Sequence, residues 1–440
     1  MKKIIALVAV LAAPASALAT DLPSKMILSQ PPVALPVFTW TGFYLGASLE
    51  QNMGNIEFKS TNLFDANGFG ARGSGLGLLA GYDQMISERW LIGAQISADR
   101  SNMAAKADVY TYGSGVTASA AENWSTSLSG RVGYLASPNT LIFTSLGATM
   151  AQGTGSISET VDGYVVGYQA KKKEFYGVAY TGMGIETKFS GNWRARLEYD
   201  TSFLKATAHR NGYAVDIIPE IGAAKISLIY GFGEKNQVAA TTAAPTWTGF
   251  YLGAGAGHDQ VSTKYNLPIV EDFSASDLTL NGFGAAGWSG SLLGGYNYQI
   301  NTSIVAGAEI IGSLSTLGSK YTVEHDTYGI EGHSPDGLSE RARLGYLLAP
   351  ETLVYGSVGY TEKRSTLKSI GDISGAMEKY TLRGLELGGG AETWLTSHIT
   401  ARLDYSMSDF GKVDILKEIP YSGTIKQTQS NGLMAILYHF

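Results

Sequence analysis

The sequence predicts an all-β fold, a transmembrane antiparallel β-barrel, and three observations carry that prediction. Apolar and polar side chains alternate along many segments, tight and long connections alternate between those segments, and tryptophans gather where the tight connections fall. Trp90, Ile92, Ala94, Ile96 and Ala98 share one face of 90–100, while Leu91, Gly93, Gln95, Ser97 and Asp99 share the other. A period of two is what a strand with two different environments requires. Trp193, Ala195, Leu197 and Tyr199 oppose Arg194, Arg196, Glu198 and Asp200 in the same way.

In chain order, residues 1–19 read as a secretory signal peptide: Lys2 and Lys3, the apolar stretch from Ile4 to Ala13, then Ala17-Leu18-Ala19. That stretch is shorter than the about 20 residues of a membrane-spanning helix. Residues 20–38 follow as a periplasmic leader. Strands are expected near 40–51, 75–86, 90–100, 121–136, 140–153, 175–189, 193–204 and 223–232. After a small-residue and proline linker at 233–246, eight more are expected near 247–258, 289–300, 303–314, 338–349, 352–364, 379–395, 399–409 and 428–440. Leu141 to Gly147 is apolar on both sides, which leaves the orientation of the fifth strand open. Tight turns at 87–89, 137–139 and 190–192, matched at 301–302, 350–351 and 396–398, follow the even-numbered strands, and long polar connections follow the odd ones. This is the layout of an outer-membrane barrel, with turns in the periplasm, loops outside and tilted strands of roughly 9–11 residues.

Trp40, Trp90, Trp193 and Trp247 open strands and Trp394 closes one, so all five are expected at the tight-turn rim as half of an aromatic girdle. Met434, Ile436, Tyr438 and Phe440 alternate along a strand that stops at the carboxyl terminus, and Ile226, Leu228, Tyr230 and Phe232 repeat that pattern earlier. Tyr438 and the terminal Phe440 resemble the signal by which outer-membrane barrels are handed to their insertion machinery.

Composition agrees. The 440 residues hold no cysteine, 55 glycines and 25 tyrosines, and only 16% are charged. Disulfide and thiol chemistry are therefore absent. The formal charge of −6 becomes −8 when Lys2 and Lys3 leave with the signal peptide, which gives no electrostatic case for nucleic acid.

The chain also repeats itself. WTGFYLGA occurs at 40–47 and at 247–254, and NGFG at 67–70 and 281–284. GRVGYLASPNTLIF at 130–143 returns as ARLGYLLAPETLVY at 342–355, and GMGIETKFSGNWRARLEYD at 182–200 as GGGAETWLTSHITARLDYS at 388–406. Two units, 39–232 and 247–440, are expected to have arisen by duplication. WTGFYLGA after a signal peptide and proline-containing leader, GRVGY and ARLGY before a proline turn, and WRARLEY near the end resemble the porin-like outer-membrane β-barrel family of alphaproteobacterial surface antigens. The resemblance covers each repeat almost end to end. It implies a small barrel in outer-membrane lipid, surface loops exposed to host or environment, and hemin binding in some members. Its motifs are structural, not catalytic, and members usually carry one such unit.

With the apolar face in lipid, charged residues fall on the luminal face: Arg131, Glu186, Arg196 and Glu198 in the first unit, and Arg343, Glu392, Arg402, Asp404 and Glu309 in the second. Eight strands leave an interior just wide enough for side chains to fill, so these groups are expected to pair across it and plug it, with Gly93, Gly133, Gly307 and Gly345 leaving room for the arginines. Two architectures stay open: two tandem eight-stranded barrels, or one merged sixteen-stranded barrel with an aqueous channel. The first implies an envelope structural component whose loops meet host or envelope ligands. The second implies a porin for small solutes, and a third role is hemin capture through loop residues such as Tyr110, Tyr112, Tyr321 and Tyr328.

No enzyme is expected. His209, His258, His325, His333, His398 and His439 are scattered without a serine and carboxylate in a recognisable arrangement. His325 and His333 share a loop with Glu324, Asp326, Glu331 and Asp336, a set that suits a divalent cation but reads more simply as solvated loop polarity. The glycine runs at 68–77 and 388–390 lack the following helix a phosphate cradle needs. No cofactor is called for.

Overall fold

The computed structural model describes residues 39–440 except 61–63, 112–113, 162–163, 166–171, 204–205, 211–212, 233–244, 272–273, 324–327, 371–376 and 416–422. The signal peptide, nearly all of the leader and most of the linker lie outside the described residues. Everything regular within them is antiparallel strand. The first half contains β1 (Gly42–Ser60), β2 (Phe64–Met85), β3 (Trp90–Ser101), β4 (Ala104–Thr111), β5 (Ser114–Ser137), β6 (Thr140–Val161), β7 (Tyr164–Val165), β8 (Lys172–Ser190), β9 (Trp193–Ser202), β10 (Ala206–Arg210) and β11 (Tyr213–Gly231). The second contains β12 (Gly249–Glu271), β13 (Ser274–Gln299), β14 (Ile304–Ser315), β15 (Gly318–Val323), β16 (Tyr328–Ala349), β17 (Thr352–Ile370), β18 (Met377–Trp394), β19 (Ile399–Phe410), β20 (Val413–Ile415) and β21 (Gly423–His439).

Each half returns to its own beginning. β1 pairs with β11 from Tyr44↔Gly231 to Ser60↔Val215, and β12 pairs with β21 from Tyr251↔His439 to Asn266↔Thr424. β11 and β12, the strands on either side of the linker, share no ladder among the described residues. A merged sixteen-strand barrel would need that ladder.

The strands are longer than the 9–11 residues a bilayer needs: β5 has 24 residues and β13 has 26. On β5 the outward residues Trp124, Leu128, Val132 and Tyr134 mark the lipid-facing part. Ten residues at about 3.3 Å, tilted by about 45°, give the roughly 25 Å of such a band. Beyond it the ladder continues into water, so 101–120 and 317–337 are largely paired strand and not loop. Hydropathy misses these extensions because neither face needs to be apolar there, while the backbone still needs partners. The fifth strand line is settled by burial: Leu141 and Phe143 of β6 point inward, and Leu146 and Met150 face lipid.

The girdle expectation needs correction. Trp90 and Trp193 are exposed, each edge-on to a neighbouring tyrosine, Tyr134 at 5.2 Å and Tyr230 at 5.1 Å. Trp40, Trp247 and Trp394 are buried inside. Strand parity is the reason: Trp40 and Gly42 share the inward phase of Tyr44, Trp247 and Gly249 that of Tyr251, and Trp394 that of Glu392. The indole N–H of Trp40 donates to the Pro138 carbonyl at 3.1 Å, and that of Trp247 to the Pro350 carbonyl at 3.0 Å. Gly42 and Gly249, two residues after Trp40 and Trp247, hold φ of 149° and 152°, a backbone conformation that residues with side chains rarely adopt. Trp124 and Trp288, in outward phase, sit exposed at the opposite rim of the band.

Candidate functional site: a buried charge layer in each half

Luminal residues come from alternate positions of neighbouring strands, so parity decides which charges meet. In the first half, Arg131 on β5 donates through Nε to Asp83 Oδ1 (2.9 Å) and through Nη1 to Glu186 Oε2 (2.8 Å). Arg196 on β9 donates to the same Glu186 oxygen at 2.8 Å and to Gln95 Oε1 at 2.6 Å. Arg194 completes the layer, 3.2 Å from Glu186 Oε1 and 3.5 Å from Asp83 Oδ2. Glu198 stands 3.7 Å from Arg196. Three arginines thus face three carboxylates, all buried. The guanidinium groups of Arg131 and Arg196 also lie about the Tyr44 and Phe143 rings at 5.0–5.5 Å. Gly93 makes the space: a Cβ there would overlap the Asp83 carboxylate.

The second half builds the same layer from equivalent positions. Arg343 donates to Asn297 Oδ1 at 2.8 and 3.1 Å and to Glu392 Oε2 at 3.1 Å. Arg402 bridges Glu392 (3.0 Å) and Glu309 (2.6 Å), and the Tyr251 hydroxyl donates to Glu309 at 2.8 Å. Arg341 joins Asp404 at 2.9 Å and Glu386 at 3.2 Å. His439 lies 3.1 Å from Glu392 and against the rings of Trp394, Tyr251 and Trp247. All of these ion pairs lie within one half. Such a layer can hold a lumen shut, because opening it would pull buried charges away from the partners they share.

All nine luminal charges singled out from the sequence fall in these two layers. Sequence reasoning missed Asp83, Arg194, Arg341 and Glu386. Parity alone flags Arg194, two residues before Arg196, and Arg341, two before Arg343. Asp83 was hidden by its place at the end of β2, beside a turn. Tyr438 and Phe440 are exposed on the outward face.

Above the charge layer the halves differ. The first half keeps a water-sized space of about 90 Å³, open to one side and lined among others by Glu50, Asp99, Tyr180, Asp200 and Lys225, with Lys225 2.8 Å from Asp200. Leu79 and Ile229 on Tyr44 in the first half correspond to Leu293 and Leu437 on Tyr251 in the second, but there Ile311 and Leu433 replace Ser97 and Lys225 and add to the apolar cluster.

The loop candidates do not assemble. His333 Nε2 lies 3.0 Å from Glu331, and Asp336 pairs with Arg364, while the side chains of Glu324, His325 and Asp326 lie outside the described residues. Glu331 is held below the usual carboxylate range by the His333 hydrogen bond. Among the described residues, no group of three histidines or carboxylates is placed to hold a metal ion. The Tyr321 hydroxyl donates to the Gly284 carbonyl at 2.6 Å; the side chains of Tyr110, Tyr112, His209 and Tyr328 lie outside the described residues.

Lipid-facing strands that are apolar outside and ion-paired inside, with tight turns at one rim and long hairpins at the other, define the outer-membrane β-barrel class. Residues 237–432 match the outer membrane protein beta-barrel domain family. The chain is 35% identical over 183 residues to the 22 kDa outer membrane protein of Rhizobium leguminosarum bv. viciae, covering 40% of this chain and 71% of that protein. It is 29% identical over 204 residues to the 31 kDa outer-membrane immunogenic protein of Brucella melitensis, covering 41% and 80%. The chain belongs to this alphaproteobacterial family of outer-membrane β-barrel proteins, and its location is the bacterial outer membrane. Among solved structures, the chain is matched to the P. putida toluene transporter TodX, at TM-score 0.27 and 11% identity over 92% of this chain and 91% of that one. Neisserial surface protein A is another, at TM-score 0.25 and 15% identity over 44% and 97%.

Proposed function

We propose that the chain is a tandem of two separately closed, plugged barrels that reinforce the envelope and present long hairpins as an interaction surface. The observation that carries this reading is the self-contained arginine–carboxylate layer across each lumen. Return pairing of β11 to β1 and of β21 to β12 supports two barrels over a merged porin. The repeated motifs at 40–47 and 247–254 support duplication as their origin. The ladders that continue past the lipid band hold a paired platform outside the membrane for host or envelope ligands. The strand ending in Phe440 is, on this reading, what the insertion machinery receives.

The test has two arms. Liposomes carrying the refolded chain are expected not to swell in small sugars beyond protein-free liposomes; swelling at porin rates overturns the plugged reading. On intact cells, a membrane-impermeant maleimide is expected to label the Lys106→Cys and Arg364→Cys variants, and their protection would overturn the outward placement of the hairpins. The natural chain has no cysteine to compete.

A further inference from the structure

Thr140 and Thr352 occupy the same position in the two repeats, and their hydroxyls meet at 2.7 Å. Each continues to a threonine of its own half, Thr187 at 3.2 Å and Thr393 at 3.0 Å, again an equivalent pair. Four buried hydroxyls therefore cross the seam in a line whose midpoint relates one half to the other. Farther along the seam, Ile185, Ala391 and Leu403 form one cluster with Ile142, Val354 and Leu197. Those six are three equivalent pairs: 142 with 354, 185 with 391, and 197 with 403. The rings of Tyr199 and Tyr405, another such pair, lie 6.2 Å apart.

Beyond the lipid band Phe69 pairs through its backbone with its own counterpart, Phe283. On either side of that point the halves exchange strands. β2 pairs with β15 from Tyr321↔Ala66 to Val323↔Phe64, and β13 pairs with β4 from Thr279↔Tyr110 to Asn281↔Asp108.

Residues that meet their own counterparts mark an isologous, two-fold interface. We infer that the seam is a self-complementary two-fold interface that holds the halves together without the linker. The partner it fits is a barrel of the same fold presenting the same face. This inference rests on the two-barrel reading. In lipid, burying an apolar face yields no hydrophobic gain, so packing and hydrogen bonds must supply the attraction. The threonine line supplies it at one end. At the other, His258 Nδ1 lies 3.2 Å from the Tyr199 hydroxyl, and Gln260 Nε2 donates to the Glu220 carbonyl at 3.0 Å. The asymmetric details fit the same docking: a Cβ on Gly432 would overlap the Tyr199 ring.

The experiment uses the full chain with a protease site placed in 233–246 and one cysteine pair at a time. Thr140→Cys with Thr352→Cys, and Tyr199→Cys with Tyr405→Cys, report the seam. Leu78→Cys with Leu292→Cys, equivalent positions facing lipid, is the control. After oxidation and cleavage, both seam pairs are expected to leave the halves linked on a denaturing gel and the control to leave them separate. Without any cysteine, the cut halves are expected to stay together in mild detergent, and Leu197→Arg with Leu403→Arg to release them. Cut halves that part without any seam substitution, each still heat-modifiable as a folded barrel, would overturn the seam while leaving the two-barrel reading intact. Halves that lose heat-modifiability on cleavage would overturn both. Seam disulfides found between two chains, in place of those within one, would overturn the pairing of the two halves with each other.

Discussion

The two halves solve one problem with different residues. Arg131, Glu186 and Arg196 have direct counterparts in Arg343, Glu392 and Arg402, but their surroundings have been exchanged as sets. In the first half Arg194 reaches into space left by Gly231, where a Cβ would lie 2.8 Å from its Nη2. In the second half the corresponding positions hold Thr400 and His439, hydrogen-bonded at 3.2 Å. Lys188 stacks on Trp40 in the first, and Trp394 packs on Trp247 in the second, at the same place. A buried charge layer tolerates change when donor, acceptor and volume change together. What stays fixed is the arginine-to-glutamate core.

The largest expected effect comes from breaking that core. Glu186→Ala leaves three arginines without their shared carboxylate and should cost about 3–5 kcal/mol, as should Glu392→Ala. Glu186→Ala should be the more damaging, since Glu392 serves two arginines and not three. Urea unfolding in lipid vesicles, followed by the folded band on gels, measures both. Trp40→Ala should cost about 3–5 kcal/mol as a buried aromatic truncation. Trp90→Ala, at a lipid-facing position, should cost less than half as much in the same assay.

The exchanged sets can be tested as sets. Gly231→His alone should collide with Arg194 and cost about 1–3 kcal/mol. Adding Arg194→Thr should recover part of that loss, with a coupling of about 0.5–3 kcal/mol in a double-mutant cycle. The difference in filling predicts chemistry: a water-soluble thiol reagent should modify Lys225→Cys, which lines the open space, at least about tenfold faster than its counterpart Leu433→Cys, because access controls thiol reactivity. Equal rates would place water in both lumens or in neither.

The smallest effect lies on the outer hairpin. Glu331→Gln should cost less than about 1 kcal/mol, as expected of an exposed pair. Because His333 lowers the Glu331 pKa in the folded state, the pair's contribution is present above the unfolded carboxylate pKa and lost as pH falls through the folded value. The native chain and the variant should therefore differ at neutral pH and converge in acid.

The lipid-embedded part of this fold was legible because lipid imposes alternation: Trp90 to Ala98 and Trp193 to Tyr199 state their own parity. The hairpin extensions were not, because water on both faces erases that signal. Tryptophan was misleading when read by its place along the chain. Trp40, Trp247 and Trp394 stand at the rim, yet parity turns them inward. The luminal charges were legible by type and phase, but their partners were not. Which carboxylate Arg131 meets depends on the register between β2, β5 and β8, which no single strand reveals. The seam left no trace in hydropathy, since Leu197 facing Leu403 and Leu78 facing lipid are equally apolar positions.

The most direct measurement is single-channel conductance of the full refolded chain in a planar bilayer. The proposed pair of plugged barrels predicts silence, broken at most by rare small flickers. Stable openings of porin size in the native chain would contradict the plugged lumens and point to a continuous aqueous path.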